Sequence, residues 1–74
     1  MLIRSQDRKH TTTNLNLDIY NFIEGSYKIG NSDVSVLGEY STEEKAIKVL
    51  DMIQEEFCDY GNDGDFNMPQ DDEV

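Results

Sequence analysis

What this chain has little of narrows its chemistry first. It has one cysteine, Cys58, so no intrachain disulfide framework can staple it. A lone cysteine fits a reducing cytoplasm better than secretion. It has one proline, no tryptophan and one histidine. The five glycines are scattered, so no glycine-rich phosphate loop exists. No apolar run approaches the roughly 20 residues that span a bilayer, and no signal-peptide pattern follows Met1-Leu2-Ile3. Bases are the scarcest charged type, six against sixteen acids. Clustered Lys and Arg are what phosphate contacts need, so direct nucleic-acid binding and attraction to an anionic membrane are both disfavoured.

What is present is acid, and it is unevenly placed. From Met1 to Gln54 eight acids oppose all six bases. From Glu55 to Val74 eight acids meet no base, which accounts for −8 of the net −10. Those eight, Glu55, Glu56, Asp59, Asp63, Asp65, Asp71, Asp72 and Glu73, are the candidate partner-binding residues. A field of that sign speeds encounter with a basic protein surface. An acidic end also keeps a small protein soluble with no partner at all.

Periodicity places the elements. Ser41 to Tyr60 reads as one amphipathic helix, with Ala46, Leu50, Ile53 and Phe57 on one face and Ile47, Val49 and Tyr60 widening it. Ser41-Thr42-Glu43-Glu44 has the form of a capping box with Ser41 as the cap, and Gly61 is the stop. Leu15 to Ile19 alternates as a half-buried strand. The alternation slips near Tyr20 and resumes with Phe22 on the other parity, which predicts a bulge. Tyr27–Ile29 and Val34–Leu37, joined by Gly30-Asn31-Ser32-Asp33, read as a hairpin. The expectation is a single small α+β domain over residues 1–61. It has an antiparallel sheet of three or four short strands, one C-terminal helix, and an acidic tail over residues 62–74. Within that tail Phe66 and Met68 are the apolar anchors, in reach of a sheet edge or a second subunit. A thin sheet and a narrow helix face leave apolar surface uncovered, so a homodimer is one expectation.

The far end of the helix breaks a local rule. Cations are favoured there, yet Glu55, Glu56 and Asp59 occupy it. Either function or a base folding in from elsewhere, such as Arg4 or Arg8, would account for them.

Catalysis has little support. Cys58 and His10 are the sole candidate dyad, and Glu56 and Asp59 beside Cys58 oppose a low thiol pKa. Asp59, Asp63 and Asp65 resemble part of a calcium loop, but Gly61 and Gln70 fall where that loop needs a carboxylate or amide and a glutamate. No metal and no cofactor are expected, and no enzyme.

Three blocks carry a resemblance: Ile3-Arg4-Ser5-Gln6-Asp7, the run Leu37-Gly38-Glu39-Tyr40-Ser41-Thr42-Glu43-Glu44-Lys45-Ala46-Ile47-Lys48-Val49-Leu50-Asp51-Met52-Ile53, and Met68-Pro69-Gln70-Asp71-Asp72-Glu73-Val74. Together they resemble a family of small uncharacterised proteins of Firmicutes phages and prophages. The resemblance implies an accessory viral protein in the host cytoplasm. Small acidic phage proteins include anti-CRISPR and anti-restriction inhibitors that occupy a DNA channel as a DNA mimic. The expected partner is then a host protein with a basic nucleic-acid-binding surface. Two alternatives stay open: an oligomer that binds a signalling nucleotide through Arg4, Arg8, Lys9 or Lys28, and a minor structural or regulatory phage protein.

Overall fold

The computed structural model describes residues 1–74, Phe22 through its backbone alone; the expected place of its side chain lies outside the described residues. The chain runs β1 (Leu2–Arg4), β2 (Thr11–Thr12), β3 (Asp18–Ile23), β4 (Ser26–Gly30), β5 (Gly38–Tyr40), α1 (Glu43–Tyr60) and β6 (Asp65–Asn67). Short 3-10 turns follow the helix at Gly61–Asp63 and end the chain at Asp71–Glu73. The class is α+β, but the strands form two three-stranded sheets, ordered β2-β1-β6 and β3-β4-β5.

The second sheet is antiparallel, as the hairpin pattern requires. Gly25 supplies the positive φ (81°) that the tight β3–β4 turn needs. The β3–β4 register shifts between Tyr20 and Ile23, where the apolar alternation slips. The expected strand Val34–Leu37 is instead a folded-back loop. The Asn31 side-chain oxygen accepts from the backbone N–H of Asp33 and of Val34 (3.0 and 2.7 Å), which curls the chain before it can pair. Pairing resumes one step later, with Tyr27, Lys28 and Ile29 opposite Tyr40, Glu39 and Gly38. The first strand expected from Leu15 begins only at Asp18.

The first sheet joins the two ends of the chain. β1 pairs parallel with β6, Leu2, Ile3 and Arg4 opposite Asp65, Phe66 and Asn67. A parallel pair needs a long crossover, and here everything from β2 to α1 supplies it. Period-two alternation turns Ile3 and Phe66 inward and leaves Leu2, Arg4, Asp65 and Asn67 exposed. The segment expected to be a tail is therefore part of the core. Met68 has 0% exposure, Phe66 is buried, and Val74 packs against the cluster of Ile3, Ile29, Leu37, Tyr40, Ala46, Val49 and Ile53.

Helix α1 lies against β4, β5 and β6. Its N-cap is Thr42 rather than Ser41: the Thr42 hydroxyl accepts from the N–H of Lys45 at 3.2 Å. Ser41 is engaged elsewhere, donating both its N–H and its hydroxyl to Asp71 (2.8 and 3.1 Å). Gly61 ends the helix with φ 59° and returns its N–H to the Phe57 carbonyl. The buried stripe is Ala46, Val49 and Ile53. Phe57, Ile47 and Tyr60, expected to extend it, are 38%, 44% and 60% exposed. An 18-residue helix is about 27 Å long, while three-residue strands span only about 10 Å, so its last turns overhang the sheets.

Candidate interaction surface

The eight acids divide into two groups set by the path of the chain. Glu55, Glu56 and Asp59 lie on the last turns of α1, Asp63 in the turn that follows, and Asp65 at the start of β6. The chain then runs back along the helix, so Asp71, Asp72 and Glu73 arrive at the opposite end, beside Ser41 and Lys45. The two groups are separated by the length of the helix and do not form one continuous patch.

The second group includes residues with internal work. The Asp71 carboxylate takes both Ser41 donors and faces the Lys45 ammonium at 3.5 Å. The Ser41 backbone N–H, foremost among these contacts, holds the Asp71 carboxyl below the usual carboxylate range. Glu73 accepts from the N–H of Gln70 at 2.7 Å and closes the final turn. Asp72 is exposed. Nearby, burial pushes the Tyr40 phenol far above its ordinary range, and the Asp71 charge adds to the effect.

The first group has no such employment. Among the described residues, the ion pairs join Lys28 to Glu39 and Lys45 to Asp71, the His10 ring lies 3.6 Å from Asp7, and none of these contacts reaches Glu55, Glu56, Asp59, Asp63 or Asp65. All five are exposed except the half-buried Glu56. No base occupies the last turn of the helix. Neither Arg4 nor Arg8 forms an ion pair there. The positive group that does arrive is the Met1 ammonium, which donates to the Asn62 carbonyl at 2.9 Å.

Beside this acidic end lies an apolar groove of about 280 Å³. Leu50, Ile53, Gln54 and Phe57 form one wall, and Leu15 and Leu17 from the segment before β3 form the other. Helical spacing puts Asp51 next to Gln54, on the solvent flank of the groove, while Glu55 turns to the other side of the helix. The groove was hidden from sequence reasoning because Phe57 fits the buried stripe by spacing and Leu15 and Leu17 fit a strand by alternation. The available signal was the width of the helical apolar face, broader than one thin sheet can cover.

The other candidate chemistries do not assemble. Cys58 is exposed. His10 lies in the β1–β2 connection, where the buried Ser5 hydroxyl donates to Asp7 and accepts from the His10 N–H. That arrangement closes a turn, and the Ser5 bond is the chief reason the Asp7 carboxyl is lowered. Among the described residues, no three of His, Cys, Asp and Glu converge as a metal site requires. Of the bases in the nucleotide reading, Lys28 is on β4 facing Glu39 at 3.9 Å, while Arg4, Arg8 and Lys9 belong to β1 and its turn. No helix is long and apolar enough to cross a membrane among the described residues. The chain matches no protein-family model, no curated protein and no solved structure.

Proposed function

We propose that this protein is a non-catalytic inhibitor of the phage accessory type, acting in a host cytoplasm. Its acidic helix end docks on the basic nucleic-acid-binding surface of a host enzyme such as a CRISPR or restriction nuclease. The observation that carries the reading is the run of acids from Glu55 to Asp65, exposed but for the half-buried Glu56. They gather at the negative end of a helix dipole with no base to offset them. A folded domain holds five like charges there at a cost to its own stability, and a basic partner is what offsets that cost. Asp71 and Glu73 belong to the fold, and Asp72 stands with them at the other end of the helix, outside the docking surface. The nucleotide-binding alternative is weaker, since its four bases are divided between two sheets and Lys28 already faces Glu39.

The test is capture of partners from host lysate at low and high salt, followed by a DNA-binding assay on the recovered enzyme. Wild type should capture a basic nuclease at low salt and displace its DNA. A variant carrying Glu55, Glu56, Asp59, Asp63 and Asp65 all changed to Lys should do neither. Equal capture by that variant at both salts overturns the reading.

A further inference from the structure

We infer that the groove between Leu15–Leu17 and the second half of α1 is the anchor pocket of the docking surface. Its occupant is one large apolar side chain carried on a Lys- or Arg-rich segment of the partner. The inference rests on the proposed acidic docking surface and specifies what that surface grips. Three observations support it. Phe57 stands 38% exposed at the mouth of the groove, on the helix end that overhangs the sheets. An enclosed cavity of about 150 Å³ holds a benzene ring, so an open groove of about 280 Å³ has room for an aromatic or branched aliphatic side chain. The charge beside its mouth, Asp51 next to Gln54, in a molecule of net charge −10, selects a cationic neighbour for that side chain.

The same charges argue against a second copy of this chain as the occupant. A two-fold contact repeats one patch on both sides, so it brings Asp51 toward its own counterpart between two molecules of net charge −10. A basic amphipathic segment satisfies the apolar wall and the acidic flank together, the mode in which a helix lays its anchors into a groove. A charge-only DNA mimic would need no such pocket.

The protein has no tryptophan, so a peptide tryptophan reports on the occupant alone. The probes are synthetic helical peptides of Lys and Ala with one central Trp, the same peptide with Ser for Trp, and a neutral version with Gln for Lys. Each carries a fluorescein label and is titrated with the full chain at low and moderate salt. The Lys/Trp peptide should bind about tenfold or more tighter than the Lys/Ser peptide, the factor expected for burying one large apolar side chain. Its tryptophan emission should shift to the blue. Phe57→Ala should remove the difference between those two peptides while leaving the thermal midpoint nearly unchanged, and Asp72→Lys should leave it intact. Equal binding of the two cationic peptides overturns the anchor pocket but leaves the acidic docking surface standing. Equal binding of the neutral and Lys/Trp peptides overturns both. A dimer on sedimentation with no peptide bound overturns the basic occupant in favour of a second copy.

Discussion

Asp71 reaches back thirty residues to take the backbone N–H of Ser41 at 2.8 Å and its hydroxyl at 3.1 Å. This clasp moves the helix cap to Thr42 and pins the end of the chain to the start of α1. The Lys45 ammonium completes it, donating to the Asp71 carbonyl at 2.9 Å.

The clasp should be visible in acid. A carboxyl held below its ordinary value of 3.8 binds fewer protons folded than unfolded. Its contribution is therefore present above that value and is lost as pH falls through the lower folded value. Asp71→Ala should lower the thermal midpoint by a few degrees at neutral pH. The gap from wild type should close toward the acid limit in melts followed by circular dichroism. A pH-independent gap would mean that the charge is immaterial.

Tyr40 predicts the opposite arm. Its phenol donates to the Pro69 carbonyl at 2.7 Å and its pKa is raised by burial. The folded state therefore retains the proton longer than the unfolded state, and stability falls as pH rises beyond the ordinary tyrosine value of 10.0. Tyr40→Phe should be about 0.5–1.5 kcal/mol less stable at neutral pH, because one hydrogen bond is lost. It should also show a flatter alkaline decline in denaturant titrations.

Met68→Ala should lose about 2–5 kcal/mol, the range for truncating a large buried side chain. Chemical denaturation measures it. A near-silent substitution would mean that residues 65–68 are not part of the cooperative unit.

Gly30→Ala should destabilise by about 1–3 kcal/mol, the range for overpacking a tight site. A Cβ at this position would lie 1.9 Å from the Ser35 carbonyl oxygen and 2.6 Å from its carbon, both backbone atoms that cannot swing away. The thermal midpoint measures the loss.

Glu55→Lys should raise stability by about 0.3–1 kcal/mol, since it replaces a misplaced acid at the helix C-terminus with the favoured charge. The same change should weaken partner binding. Opposite signs in a thermal melt and a binding titration would mark Glu55 as a residue held for contact rather than for folding.

Local pattern carried much of this molecule. The 3.6-residue period of α1, its Gly61 stop and the bulge after Tyr20 depend on neighbours a few residues apart, so they were legible in the chain. So was the crowding of acids after Gln54. The Val34–Leu37 strand misled because its β-branched composition competes with an Asn31 turn that only the folded hydrogen bonds reveal.

The sequence by itself determined the α+β class, the helix and the excess of unpaired acid at its far end, because each follows from spacing and charge along the chain. Only the tertiary structure decided what the last thirteen residues do. Pairing β6 with β1 and burying Met68 depend on contacts between the two ends of the chain, which no local period encodes. Tertiary structure also divided the acids, committing Asp71 and Glu73 to the fold and leaving Glu55 to Asp65 beside an apolar groove. That division arises because the chain returns along a helix about 27 Å long, which carries neighbours in charge to opposite ends of the molecule.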